Sequence, residues 1–227
     1  SCFFTYYNHP YYIDHMAALG YVKDVDWIEE LITVPTDEKT IQRWEKLSDF
    51  VLKRNHLHIV EPKSRLAYLP LLKPFFDLVN VAYAPLYGTV DLTDEQIKKY
   101  ASKFAPLINP HTTCFVMDKN DRMVAFGVGA PSLAPAMQKH RGRLFPTGWV
   151  DVLKSFRKND TIDLLLIAVH PDYQSRGVNA VILSKTMKGC LKMGIKQAET
   201  GPMLEMNDKV QSQWKDFQTE QHKRRRC

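Results

Sequence analysis

Residues 169–180 read VHPDYQSRGVNA, and their types and order suit the binding of an anion. The first-turn amides of a helix lack intrahelical acceptors and carry the positive end of its dipole, so a loop leading into a helix can hold a phosphate with main-chain N–H groups. Gly177 has no Cβ to keep such a ligand off the backbone. Gln174, Ser175 and Arg176 lead into it, and Val178, Asn179 and Ala180 follow.

Two elements must position that loop. Residues 161–169, TIDLLLIAV, form an apolar run too short for a membrane span and too continuous for a half-exposed strand, so a strand buried on both faces is expected. Pro171 ends it. Beyond the loop, Val178, Val181, Ile182, Met187, Cys190 and Leu191 recur at near-helical spacing, with Lys185, Lys188 and Lys192 on another face. That is an amphipathic helix, closed by Gly194.

Read as Val169, Pro171, Tyr173, Gln174, Gly177 and Ala180, the stretch resembles the acyl-CoA-binding motif of the GNAT acetyltransferase superfamily. In that pattern, Gln/Arg-x-x-Gly-x-Gly/Ala, the loop amides hold the pyrophosphate of coenzyme A. The chain departs at Asn179, where the second small residue is expected. A second stretch, Asn207-x-x-Val210-x-x-x-Trp214-x-x-Phe217, resembles the family's Asn-x-x-Ala-x-x-x-Tyr-x-x-x-Gly-Phe motif. The resemblance covers most of 112–226 apart from inserted helices. It implies an α/β fold, a GNAT-type mixed central sheet with helices on both faces and an N-terminal helix-strand arm. Two strands of that sheet splay apart, and the pantetheine arm lies in the gap. It further implies donor contacts from Ile167, Val169, Gln174, Ser175, Arg176, Gly177, Val178, Asn179, Ala180, Asn207 and Trp214, and no metal.

Acetyl transfer from a thioester to an amine needs a proton acceptor, stabilisation of the oxyanion and a way for the thiolate to leave. By resemblance, the Val169 amide faces the thioester carbonyl. The tyrosine that commonly serves as acid is replaced by Trp214, whose indole N–H donates a hydrogen bond but cannot act as a general acid near neutral pH. Its spacing with Val210 and Phe217 also reads as plain core. Tyr68, Tyr83 and Tyr87, or a water, could stand in as acid. Asp163, Glu199 and Glu205 are the candidate bases, and Glu205 also reads as a helix-opening carboxylate held by the dipole.

The implied activity is direct acyl transfer from acetyl-CoA or another acyl-CoA, as donor substrate, to an amine. The expected partners are that donor and a small-molecule or peptide amine acceptor, with no membrane partner expected and homodimerisation left open. A catalytically idle acyl-CoA-binding or scaffold domain is the rival, favoured by Asn179 and Trp214. A nucleic-acid-binding domain using the basic residues 223–226 ranks last, because no aromatics are interleaved with them.

The bulk properties agree with that class. At 227 residues the chain can bury one substantial core, and 44% hydrophobic with 25% charged residues is ordinary for a globular protein. No apolar run reaches the length of a membrane helix. Residues 1–7 lack a signal-peptide pattern. Cys2, Cys114, Cys190 and Cys227 are scattered without ligand spacing, which points to a reduced, cytoplasmic protein without structural zinc. The eight histidines form no HExxH, and no Gly-x-Ser-x-Gly elbow is present, so hydrolases are disfavoured. The net charge of +6 is concentrated at 139–143, 154–158 and 223–226.

Residues 1–35 are expected as an N-terminal arm, with the end of an upstream GNAT-like unit as the alternative, and 36–227 as the GNAT-like domain. A helix is expected from Thr36 as N-cap, with Ile41, Trp44, Leu47, Phe50 and Val51 buried. Residues 58–60 read as a strand, and 64–87 as helix pieces kinked at Pro70, Pro74 and Pro85. Thr93 to Gln96 forms a capping box. Strands at 112–118 and 123–130 flank a hairpin turn, and Gly127 and Gly129 mark a bulge or a close approach. An insertion at 131–160, with helices at 133–140 and 149–158, is expected to shape the acceptor pocket. A strand at 195–200, a helix at 205–217 and a strand at 220–225 close the chain.

Overall fold

A computed structural model describes residues 8–62 and 66–227. The readings of Cys2, of residues 1–7 and of the first part of the 64–87 helical segment lie outside the described residues. The chain runs α1 (Tyr11–Ala18), β1 (Asp26–Thr33), α2 (Glu38–Asn55), β2 (His58–Val60), α3 (Leu69–Tyr83) and α4 (Asp94–Phe104). It continues through β3 (Cys114–Met117), β4 (Met123–Pro131), α5 (Ala134–Lys139), α6 (Gly148–Ser155) and β5 (Thr161–Val169). The last elements are α7 (Val178–Met193), β6 (Gln197–Thr200), β7 (Met203–Leu204), α8 (Asp208–Ser212) and β8 (Thr219–Arg226).

The strands form one mixed sheet in the order β2-β3-β4-β5-β6-β1-β7, with β8 also paired to β1. Only β5 and β6 run parallel among the recorded pairs. β1 lies antiparallel to β6, β7 and β8, so residues of the amino-terminal stretch are built into the sheet. α1 buries none of its side chains.

Strand alternation sends successive residues to opposite faces, and two cores follow from it. Val116 and Ala125, paired across β3 and β4, pack with Val181 and Ile182 of α7. The next pair, Phe115 and Phe126, packs with Leu78 of α3. Phe126 is fully buried, which stabilises the fold by roughly 1.5–3 kcal/mol. A third cluster joins Ile28 and Ile32 of β1 to Trp44 of α2, Ile162 of β5, Met187 of α7 and Trp214.

Several local expectations need correction. The α2 N-cap is Asp37, not Thr36: its carboxylate accepts the Thr40 N–H at 2.8 Å and places a negative charge at the helix start. Trp44, Ser48 and Val51 form the buried stripe of α2, while Leu47 and Phe50 are exposed, because small Ser48 lets the helix approach α7 on that side. The 205–217 helix shrinks to α8, and Phe217, stacked on Trp44, and Trp214, edge-on to Phe217, are placed by core packing rather than by helical period. The Thr93 capping box forms: the Thr93 hydroxyl accepts from the Gln96 N–H at 3.3 Å, and the Gln96 side chain accepts from the Thr93 N–H at 3.0 Å. β4 slips register at Val128 and Gly129, and Gly127 lies against Ile182.

Candidate functional site

The loop and helix sit at a fork between β5 and β6. Parallel pairing holds from Thr161 with Gln197 to Leu164 with Thr200 and then stops. Gly201 makes the last link, donating its N–H to the Leu164 carbonyl at 3.1 Å, and Pro202 carries the chain away. On its other side β5 stays paired with β4 through Val169, after a register shift that leaves Leu165 as the extra residue. His170 donates to the Val124 carbonyl of β4, so by alternation the peptide groups of Ile167 and Val169 face the gap that β6 has left.

Both carbonyls on that edge are taken up. The Tyr83 hydroxyl, from the end of α3, donates to Ile167 O at 2.9 Å, and the Gln174 side-chain amide donates to Val169 O at 3.3 Å. The N–H groups of the same residues are left pointing into the fork. Burial pushes the Tyr83 phenol up to about 12, so it keeps its proton at neutral pH.

At the open end, β5 passes through a single 3-10 turn, Pro171–Tyr173, into α7. Asp118, in the β3–β4 turn, anchors this passage: it accepts from the N–H of Asn120 at 2.9 Å, the N–H of Arg122 at 3.1 Å and the Tyr173 hydroxyl at 3.1 Å. Burial by itself would raise the Asp118 carboxyl, but these donors hold it below the usual range. Ser175 and Gly177 take positive φ, 60° and 80°, and turn the chain sharply into the helix. Residues 174–177 form turns, but among the described residues the amides of 175–179 make no close backbone or side-chain hydrogen bond, and the first close bond is from Ala180 N–H to Gly177 O at 2.9 Å. α7 starts without a side-chain cap and without an acid in its first turn. Five consecutive donors at the start of a 16-residue helix form a cradle suited to a pyrophosphate. Arg176 stacks its guanidinium over Tyr173 at 5.2 Å, leaving a positive charge beside it. Asn179 is half-buried within that first turn.

The candidate acids separate into two groups. Asp163 and Glu199 are register partners across β5 and β6, one step below the fork, and both are buried. Glu205 lies beyond β7 in an ion-pair network, with Arg224 at 2.6 Å and Lys23 at 3.2 Å, which hold its carboxyl below the usual range. Asn207 caps α8, accepting from Val210 N–H at 3.3 Å. Trp214 is buried with its indole N–H 3.3 Å from the Met203 sulfur, a core position. Tyr68 lies edge-on to Phe115, and Tyr87 donates to Asp24. The 131–160 insertion precedes Thr161, at the end of β5 opposite the loop, rather than beside the fork.

Sequence reasoning missed what surrounds Glu199. β8 slips register opposite Glu29 and Glu30, so His222 and Lys223 both reach Glu199, with His222 Nε2 at 3.8 Å. Lys223 also pairs with buried Glu29 at 3.0 Å, and Arg225 pairs with Glu29. Burial lowers the His222 pKa, which favours the neutral ring. Ligand atoms of Glu29, Glu199 and His222 lie within 4.8 Å of one another, as a metal would require. The Lys223 ammonium already bonds both carboxylates and takes a cation's place. The other two cations of 223–226 turn to the opposite side, where Arg224 at 2.7 Å and Arg226 at 3.4 Å bind buried Asp26. The basic run is thus matched by acids of β1. The one legible signal was Asp26, Glu29 and Glu30 lying within eight residues of a strand pattern.

No family model matches the chain. Protein YghO of Escherichia coli (strain K12) is 24% identical over 187 residues, covering 80% of this chain but 46% of that protein. Among solved structures, a GCN5-related N-acetyltransferase from Sphaerobacter thermophilus superposes with a TM-score of 0.55 at 10% identity, over 95% of this chain and 56% of that one. A GCN5-related glucosamine N-acetyltransferase region of a fungal multi-domain GH3 β-N-acetylglucosaminidase gives 0.56 at 11%, over 95% of this chain and 22% of that one. A tandem GNAT protein from the clavulanic acid biosynthesis pathway gives 0.53 at 9%, over all of this chain and 60% of that one. The chain spans less than two thirds of each of these relatives. No helix among the described residues is long and apolar enough to cross a membrane. Forked strands, an open amide loop and these superpositions together establish that the chain has the GCN5-related N-acetyltransferase fold.

Proposed function

We propose that this chain is an N-acyltransferase that moves an acetyl or other acyl group from acyl-CoA directly to an amine. The observation that carries the reading is the run of five amides without a close hydrogen bond, 175–179, at the open end of the fork. The pyrophosphate of the donor sits on those amides, and its pantetheine arm runs along the free edge of β5 past Ile167 and Val169. The Val169 N–H polarises the thioester carbonyl. The amine nitrogen attacks the thioester carbon while its proton passes toward the Asp163 and Glu199 carboxylates. The C–S bond then breaks and the sulfur leaves as the thiolate; Tyr83, which stays protonated, turns its one O–H from the Ile167 carbonyl to donate to it.

A second reading, a domain that binds CoA without turnover, is favoured by the burial of Trp214 where the family's acid tyrosine is expected. Thermal unfolding with and without CoA and acetyl-CoA tests the shared part of both readings. Saturation at about 100 times the dissociation constant adds ~2.7 kcal/mol, roughly 5–10 °C for a chain of this size. No shift with any acyl-CoA refutes both. A shift accompanied by thiol release on addition of amines supports transfer, whereas a shift without release across a broad amine panel supports the idle domain.

A further inference from the structure

The insertion between β4 and β5 has no part in the fork, and it carries a surface of its own. Residues 139–158 hold six cationic side chains (Lys139, Arg141, Arg143, Lys154, Arg157, Lys158) against one carboxylate, Asp151. Asp151 is taken up by Lys139 at 2.6 Å, His140 at 2.7 Å and Lys154 at 3.6 Å. Arg141, Arg143, Arg157 and Lys158 have no carboxylate partner among the described residues. Five uncompensated positive charges in twenty residues nearly equal the net charge of the whole chain, +6.

Large apolar side chains stand out among these cations. Phe145 is 80% exposed, Leu153 56%, Trp149 46% and Leu144 45%. Trp149 and Leu153 are four residues apart on one face of α6, and the Trp149 N–H bonds back to the Leu144 carbonyl, which ties the Leu144–Phe145 turn to the helix start. Alongside runs a groove of about 660 Å³ between Pro106, Leu107 and the Trp149, Leu153 and Phe156 side chains, with Lys154 and Arg157 at its rim. Exposed aromatics and leucines with a cationic border mark an interaction surface. A nucleic acid would account for the cations, and its bases for Phe145 and Trp149, but it offers no hydrocarbon to Leu144 and Leu153. An anionic bilayer supplies all three: phosphates for the cations, an interfacial belt for Trp149 and Phe145, and acyl chain for the leucines.

We infer that α6 and the turn before it dock this protein on an anionic phospholipid surface, through Leu144, Phe145, Trp149 and Leu153, with Arg141, Arg143, Arg157 and Lys158 on the headgroups. The patch lies at the amino-terminal end of β5 and the amide loop at its carboxy-terminal end. Nine extended residues put the two about 30 Å apart. Docking therefore leaves the loop in water, and the inference does not rest on the proposed acyl transfer.

The test is co-sedimentation of the full chain with vesicles of mixed phosphatidylglycerol and phosphatidylcholine, and with phosphatidylcholine alone, at low and high salt. Binding to the mixed vesicles that weakens with salt, and little binding to phosphatidylcholine, is expected. Phe145→Glu with Leu153→Glu should reduce partitioning more than tenfold. Arg157→Glu with Lys158→Glu should reduce it by about fivefold or more per residue. All four side chains are exposed, and an unchanged melting temperature verifies that each variant is folded. Equal partitioning of the Phe145/Leu153 variant, or no binding to the anionic vesicles, overturns the inference. So does retention on single-stranded DNA or an acidic protein that survives the Phe145/Leu153 change while vesicles are ignored.

Discussion

Replacing Asn179 with Asp separates the stability of α7 from its service as an anion cradle, because the two respond with opposite sign. Asn179 is the second residue of a helix that has neither a side-chain cap nor an acid in its first turn. A carboxylate there interacts favourably with the helix dipole, by about 0.3–1 kcal/mol, so the ligand-free protein should melt about 1–4 °C higher. A pyrophosphate on the 175–179 amides would lie about 5 Å from that carboxylate. At an effective dielectric of ~40 each pair of like charges costs ~1.7 kcal/mol, and two phosphate charges bring the penalty to ~3 kcal/mol. That is on the order of a hundredfold loss of CoA affinity. The assay is thermal unfolding of both proteins across a CoA titration. A variant that melts as high as the parent or higher, yet loses its CoA shift, matches the reasoning. A full CoA shift in Asn179→Asp would refute the placement of the pyrophosphate on these amides, and lower ligand-free stability would refute the reading of an uncapped helix start.

Three further outcomes follow from particular contacts. Tyr83→Phe removes the hydroxyl on Ile167 O, so amine-dependent thiol release should fall at least tenfold while the CoA melting shift persists; a change in CoA affinity alone would make Tyr83 structural. In Asp26, burial disfavours the charge, but Arg224, Lys23 and Arg226 outweigh it and hold the carboxyl at about 2. Because its folded value lies below the unfolded one, its contribution is complete above pH ~4 and is lost as pH falls toward 2, so Asp26→Asn should flatten the acid limb of a stability-against-pH curve. Gly189→Ala would drive a Cβ into the His111 backbone carbonyl where α7 crosses residues 110–112, and urea unfolding should show a loss of about 1–3 kcal/mol.

Much of the candidate loop was legible because it is local. The amide loop needs a buried strand, a stop, a small residue and a helix start, and all of these fall within 161–194. Periodicity and turn chemistry report such short-range order directly. The same holds for the Thr93 capping box and for the β3–β4 hairpin. Where helical period was extended past its support, as over 205–217, the core overruled it: Trp214 and Phe217 are set by Trp44, 170 or more residues away in sequence.

By itself the sequence determined the pieces that follow from neighbours: a buried strand running into an open helix start, and the loop chemistry between them. Only the tertiary structure decided what distant segments do to one another. β1 enters the sheet beside β6, the basic run 223–226 is divided between Glu29 and Asp26, and Tyr83 reaches the edge of β5. Local propensity cannot encode such choices, because their free energy comes from burying charges and apolar surface against partners that are far apart in the chain.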